Sequence, residues 1–242
     1  MRLKNAPIVE AVLDIDCDMP PGQDVASLET AAREAYQSTY PTFRKIFMRE
    51  HRLAVDQPPV TTQIVEALQF FQEDNKQLVQ VRSKGFSLNR LAPYSSLDDY
   101  ISEMERTWNI FVRIASPVQV RSVQLRYINR ILLPLSLEMR LDDYFKVCPR
   151  LPDEDALVFV GFLNQHQAVE QATGNQVNIV LASQPPEEAI LPIVFDITAT
   201  SAGVIQPGNW EAILIKIQSL RDLKNKVFRN TLTRKCIDLF QH

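Results

Sequence analysis

The chain has 242 residues, of which 45% are hydrophobic and 23% are charged, and its formal net charge is −3. This length suits one large core or two small fused cores, and a charged fraction close to the average excludes wholesale disorder. The weak negative charge excludes a global basic field that would attract nucleic acid or a membrane surface.

Three widely separated cysteines, Cys17, Cys148 and Cys236, do not indicate a disulfide framework and suit a reducing compartment. The N-terminus has only a short apolar run, which is not typical of a signal peptide. No stretch approaches the roughly 18 apolar residues of a membrane span. We therefore predict a cytoplasmic protein that does not associate with membranes.

The first half of the chain is predicted to begin with a strand and a helix. Residues 7–16 alternate between apolar and acidic side chains, which is typical of a half-buried strand. Pro20-Pro21-Gly22 interrupts the chain, and Asp24 can cap a helix that runs to about Tyr40. Three strands are predicted next, with a turn at 73–75, over residues 43–55, 61–72 and 77–91.

A long amphipathic helix is predicted to close the first half. Ser96 is its predicted N-cap, and Pro117 follows its end. The apolar stripe recurs at steps of four, three, four and three residues: Leu97, Ile101, Met104, Trp108 and Phe111.

The second half is predicted to repeat this order. The strands are predicted over 118–133, 157–168, 176–183 and 190–198, with a short helix over 137–145. The last helix is predicted to start near Asn209, to run to about Asn230 and to resume at Thr233.

Together these elements predict an α+β fold whose antiparallel sheet is built from two β-α-β-β-β-α pseudo-repeats. The pseudo-repeats are residues 1–116 and 117–242, and they are expected to form one compact unit with the long helices on one face of the sheet.

Several kinds of catalytic site lack support. The six glycines are not clustered as a phosphate-binding loop requires. The three histidines lack metal-ligand spacing, and no CxxC or nucleophile motif is present. We predict no cofactor, no metal and no catalytic residue.

The strongest candidate site lies in the strand VQLRYINRILLP, residues 123–134. Alternation places Arg126 and Arg130 on one face, four residues and so about 13 Å apart along the strand, and Asn129 on the other. Glu10 and Asp14 likewise share a face of the first strand. If the first strands of the two halves are neighbours, these carboxylates can pair with the arginines across the sheet.

Two interpretations of these four residues stay open. In one, the ion pairs fix the register of the sheet. In the other, Arg126 and Arg130 bind a small anionic ligand through guanidinium groups, which suit carboxylate or phosphate.

The C-terminal segment 209–242 carries seven Lys and Arg residues against three acids. A nucleic-acid footprint should cluster on one face, whereas these basic residues scatter around the helix axis. The pattern favours a solvated helix.

Three segments together resemble a sporadically distributed bacterial protein family of similar length that has no assigned function. They are NAPIVEA at 5–11, FSLNRLAPY at 86–94 and LRYINRI at 125–131. The chain departs from the family pattern at Ser96-Leu97, where the family tends to place a tryptophan. The resemblance implies a single unit over nearly the whole chain and transfers no activity.

We predict a non-catalytic binding or interaction module that binds a protein partner or a second copy of itself. The alternatives are an enzyme that holds a small anionic substrate with Arg126 and Arg130, with Glu10 as acid or base, and a nucleic-acid-associated protein that uses the basic C-terminal helix.

Overall fold

The computed structural model of the chain describes residues 3–52, 60–136, 139–149, 157 and 160–241. The strands within these ranges are β1 (Ile8–Asp18), β2 (Thr42–Arg52), β3 (Val60–Phe71), β4 (Gln77–Arg82), β5 (Gly85–Leu91), β6 (Gln119–Pro134), β7 (Leu163–Val169), β8 (Gln176–Ser183) and β9 (Ile190–Ile205). The helices are α1 (Glu29–Tyr36), α2 (Ile101–Ala115), α3 (Trp210–Thr231) and α4 (Arg234–Asp238). Two 3₁₀ turns span Ala26–Leu28 and Leu141–Asp143.

The strands form one sheet in the order β2-β3-β4-β5-β1-β6-β9-β8-β7. Every neighbouring pair is antiparallel, so the predicted α+β class with an antiparallel sheet is confirmed. β1 and β6 lie side by side at the centre, with Leu13 opposite Leu125. No helix in the described ranges is both long and apolar enough to cross a membrane.

The main core lies on one face of the sheet, which we call the helix face. Tyr36 of α1 contacts Phe70 of β3 with ring centroids 5.3 Å apart. Trp108 of α2 meets Phe86 of β5 edge-on at 5.8 Å. Phe228 of α3 stacks on Phe195 of β9 with ring centroids 5.8 Å apart.

The structure corrects the prediction of one strand over 77–91. This segment is a hairpin of β4 and β5, so the first half has one strand more than predicted. Gly85 starts β5 with φ at +138°, and a Cβ built there would lie 2.1 Å from the carbonyl oxygen of Ile15. Only glycine allows this close approach of β5 to β1.

Helix starts were predicted less accurately than helix interiors. α2 begins at Ile101 rather than just after Ser96, and the long helix expected after Asp24 is a 3₁₀ turn followed by α1. Asp24 still has a capping role, since its Oδ1 accepts the Ser27 N–H at 2.7 Å. α3 starts beside Asn209 as predicted, and Asn209 caps it by accepting the Ala212 N–H at 3.1 Å.

Two other predicted elements differ in the structure. The described part of 137–145 contains a 3₁₀ turn instead of a helix, and residues 137–138 lie outside the described residues. The strand expected over 157–168 starts at Leu163. Residues 158–159, like 53–55 at the end of the strand predicted from 43, lie outside the described residues.

Candidate functional site

The structure places all four predicted site residues on the same face of the sheet, opposite the helix face. We call this the open face. In the β1–β6 register, Glu10 lies opposite Ile128 and Asp14 opposite Gln124, so the carboxylates of β1 flank the side chain of Arg126. Arg130 lies further along β6, two residues beyond Ile128.

Arg126 is paired with Asp196 of β9. Its Nε lies 2.9 Å from Asp196 Oδ2 and 3.1 Å from Oδ1, and its Nη2 lies 2.6 Å from Oδ2. These hydrogen bonds, together with the Asp196 charge and the fields of Glu10 and Asp14, raise the pKa of Arg126 against an opposing effect of burial. Arg126 therefore hydrogen-bonds β9 rather than the predicted carboxylates of β1.

Arg130 also has a carboxylate partner outside β1. Its Nη2 donates to Glu187 Oε1, and its Nε donates to Gln184 Oε1 at 3.2 Å. Both acceptors belong to the connection between β8 and β9. The Glu187 side chain is 60% exposed, so this pair lies at the rim of the open face.

Asn129 shows why an asparagine interrupts the apolar face of β6. It is fully buried on the helix face, and its Nδ2 donates to the carbonyl oxygen of Phe195 at 2.8 Å. A buried amide needs such a partner, so Asn129 fixes β6 against β9.

Glu10 ends a chain of hydrogen bonds that crosses four strands. Gln69 Nε2 donates to Gln80 Oε1 at 2.8 Å, and Gln80 Nε2 donates to Asn89 Oδ1 at 2.9 Å. Asn89 Nδ2 then donates to Glu10 Oε1 at 2.7 Å. Each amide orients the next one, so the Glu10 carboxylate is held in place before any ligand arrives.

Asp14 ends a second chain of hydrogen bonds, which reaches β1 from β9 through β6. Thr200 donates to Gln124 Oε1 at 3.1 Å, and Gln124 Nε2 donates to Asp14 Oδ2 at 3.1 Å. Ser87 donates to the second oxygen, Asp14 Oδ1. Both oxygens of Asp14 are thus occupied by neutral donors.

Asp16 continues the row of carboxylates along β1. Arg82 Nη2 lies 2.9 Å from Asp16 Oδ1 and 3.4 Å from Asp14 Oδ1. Ser122 donates to Asp16 Oδ2 at 3.4 Å. Arg82 thereby compensates part of the negative charge of β1.

We call the group of Glu10, Asp14, Asp16 and Asp196 the acidic centre. Its four carboxylates face two guanidinium groups, those of Arg82 and Arg126, which leaves a net charge of −2. Among the described residues, Glu10 Oε2 has no donor, so it is the acceptor available to a ligand. The arrangement is a fixed acidic surface that can accept hydrogen bonds from a cationic group.

The helix face carries a second cluster of polar groups. Lys224 of α3 lies with its Nζ 3.9 Å above the Tyr127 ring, and the Tyr127 hydroxyl lies 3.1 Å from that of Tyr94. Burial, followed by the nearby charge of Arg221, lowers the pKa of Lys224 to about 8. The adjoining cavity, lined by Tyr94, Tyr127 and Arg90, measures about 10 Å³, room for no more than one water. This cluster is packing rather than a ligand pocket.

Three basic residues of the C-terminal segment are paired with carboxylates of the protein itself. Arg221 makes two hydrogen bonds of 2.7 Å to Asp98. Lys226 pairs with Glu170 at 3.3 Å, and Lys235 pairs with an aspartate at 2.7 Å. These contacts spread over several surfaces, which agrees with a solvated helix.

Sequence reasoning missed two parts of the open face. Asp196 had a signal, because it alternates with Phe195 and Ile197 in a predicted strand and so had to face away from the core. The exposed apolar residues of β2, Ile46 and Met48, had only the weak signal of a poorly alternating segment.

A scan against protein-family models and a search of curated proteins found no match to this chain. In the described ranges, no three His, Cys, Asp or Glu side chains are grouped so that they would hold a metal ion. The candidate site therefore depends on the geometry of the open face.

Proposed function

We propose that the protein is a non-catalytic binding module, and that the acidic centre binds a basic segment of a protein partner. One observation carries the proposal: Arg126 is already bound to Asp196 through two of its nitrogens. Two of the three guanidinium nitrogens that an anionic substrate would use are therefore engaged by a carboxylate of the protein.

The charge of the open face supports a cationic ligand over an anionic one. An anion at Arg126 would either displace Asp196 or bind through Nη1 alone, and in both cases it would enter a region of net charge −2. Each hydrogen bond to a charged group that it broke would cost about 1.5–3 kcal/mol. A guanidinium or ammonium group instead meets the available Glu10 Oε2 without breaking any of these contacts.

The rigidity of the acidic centre favours binding for a second reason. Glu10 and Asp14 are each held by amide or hydroxyl donors on neighbouring strands. Ordering a free side chain on association costs about 0.5–1.5 kcal/mol, and this cost is small where the acceptor is already fixed. A surface of this kind discriminates by charge without needing a deep pocket.

We also infer that residues 1–116 and 117–242 are pseudo-repeats with their long helices on one face. The central position of β1 and β6, flanked by β5 and β9 respectively, supports this inference. Membership of the sporadically distributed bacterial family and a cytoplasmic location remain predictions from the sequence.

The proposal is tested with a fluorescein-labelled hexa-arginine peptide, whose binding is followed by fluorescence anisotropy. The wild-type protein is expected to bind this peptide, and the affinity should fall with added salt because the attraction is electrostatic. The variant Glu10→Gln keeps an oxygen for Asn89 but removes the charge at Oε2, so we expect affinity to fall at least about threefold.

The matched control is Glu211→Gln, which removes one charge from an exposed position on α3. This variant should bind the peptide as the wild type does. Equal losses in the two variants would show that the peptide senses net charge alone and would overturn the proposal. Binding of a hexaglutamate peptide in its place would favour the anionic-substrate alternative.

A further inference from the structure

The strands β2 and β3 extend beyond the rest of the sheet. β2 pairs with β3 from Thr42 to Arg52, whereas β4 pairs only with Ala67–Phe71 of β3. Residues 47–52 and 60–65 therefore form a two-stranded ribbon. A hydrophobic stretch of β2 is left exposed there, since Ile46, Phe47 and Met48 are each 40–49% exposed.

Part of this apolar surface belongs to the open face. Ile46 lies opposite Ala67, which in turn lies opposite Arg82. Arg82 contacts the acidic centre, so Ile46 lies on the open face. The irregularity in the β2–β3 pairing places its extra residue on β3, so alternation continues along β2 and Met48 faces the same way as Ile46. Ile64 is the cross-strand partner of Met48.

We call the group of Arg44, Ile46, Met48 and Ile64 the β2 rim. It carries one positive charge, that of the exposed Arg44, beside three exposed apolar side chains. The Arg44 guanidinium lies 4.6 Å from the centre of the Phe71 ring, over the open face. The open face thus has an acidic centre on β1 and a basic, apolar rim at one edge.

The rim cannot reach the acidic centre of its own molecule. β2 and β1 are four strands apart in a continuous sheet, a separation of about 19 Å. A second copy related by a twofold axis near β4 would place each rim over the other acidic centre. Such an isologous contact requires a surface that is complementary to itself, which opposite charges at two places on one face provide.

The area of this contact is sufficient for an interface. The five strands from β2 to β1 are about 24 Å wide, and a length of about 20 Å gives about 500 Å² for each copy. The total of about 1,000 Å² reaches the lower limit for specific association. Ile128, half-buried among the carboxylates, provides apolar surface opposite the rim.

We propose that two copies of this chain associate through their open faces, with the β2 rim of each against the acidic centre of the other. This proposal rests on the proposed function and names a second copy as the partner. Sedimentation equilibrium across the micromolar range tests it. The wild type is expected to dimerise, and Met48→Glu should raise the dissociation constant at least about tenfold by placing acid against acid.

The matched control is Ile215→Glu, which makes the same kind of change at a residue of α3 that is 64% exposed. It should dimerise like the wild type. Arg44→Glu alone should weaken dimerisation. Adding Glu10→Arg to it should restore dimerisation, because each of the two symmetry-related contacts then again joins opposite charges. A wild-type monomer, or equal effects of Met48→Glu and Ile215→Glu, would overturn the dimer.

These outcomes separate the two proposals. A monomer that still binds hexa-arginine through Glu10 overturns the dimer and leaves the acidic centre as a binding surface for another protein. A dimer that responds to Met48→Glu, with no peptide binding at low concentration, supports the dimer and contradicts binding of a general basic segment. A monomer that binds no peptide overturns both.

Discussion

Asp196 combines low exposure with three hydrogen bonds to one guanidinium group, so it should matter to stability more than a surface acid. Its side chain is 12% exposed and that of Arg126 is 44% exposed. We expect Asp196→Asn to lower the free energy of unfolding by about 1–2 kcal/mol, because one charge-assisted acceptor is lost and Arg126 can only partly rehydrate.

The control for this prediction is Asp98→Asn. Asp98 also accepts hydrogen bonds from two nitrogens of one arginine, Arg221, but its side chain is 59% exposed. Water can replace the lost acceptor there, so the loss should be smaller. Urea unfolding followed by circular dichroism measures both variants. Equal losses would mean that burial of Asp196 does not determine its contribution.

The sequence was sufficient to place these side chains on a face but not to choose their partners. The alternation of β6 puts Arg126 and Arg130 together, and that of β1 does the same for Glu10 and Asp14. Asp196 lies 70 residues after Arg126, and its proximity depends on β9 pairing with the other edge of β6. Pairing order is a property of the whole sheet, so a local pattern could not reveal it.

The β4–β5 hairpin depends on a single glycine for its position beside β1. A side chain at Gly85 would meet the Ile15 carbonyl at 2.1 Å and would also be strained by φ at +138°. We expect Gly85→Ala to destabilise the protein by about 3 kcal/mol or more, because β5 must move away from β1. The change is measured by thermal and urea unfolding.

Gly203→Ala separates the two causes. Gly203 has nearly the same φ, +144°, but a Cβ there would meet nothing within 4 Å. Its substitution reports backbone strain alone, about 1–3 kcal/mol. If Gly85→Ala cost no more than Gly203→Ala, close contact with β1 would not explain the glycine.

Strands and helices were predicted best where one pattern dominated. β8 was predicted at its observed bounds and α3 to start near Asn209, because the periodicity of these segments agrees with the tertiary packing there. The hairpin at 77–91 was missed because β4 is buried on both faces of the sheet, as the consecutive buried residues Leu78 and Val79 show. An apolar run without alternation does not show where one strand ends and the next begins, and Gly85 was the remaining sign of a turn.

The two halves of the chain are joined at several distant places. β1 and β6 pair along ten residue positions of β1, and Trp108 of α2 donates to the carbonyl oxygen of Pro207 at 2.9 Å. The N–H of Asn5 donates to the carbonyl oxygen of Phe240 at 3.1 Å. Separating the halves would expose the central strands of the sheet, whose helix-face side chains are fully buried. The sheet should therefore unfold as one cooperative unit.

This cooperativity is tested in a Trp210→Phe variant, in which fluorescence reports Trp108 of residues 1–116 alone. Far-UV circular dichroism reports all helices, including the long α3 of the other half. We expect the two urea transitions to coincide in midpoint and slope.

Leu125, on β6 opposite Leu13, is 1% exposed, so Leu125→Ala should lower the free energy of unfolding by about 2–4 kcal/mol. Although Leu125 belongs to the second half, this variant should move the Trp108 transition as far as the circular dichroism transition. A shift confined to circular dichroism would show that the halves unfold separately, because the loss of stability in β6 would then not reach residues 1–116.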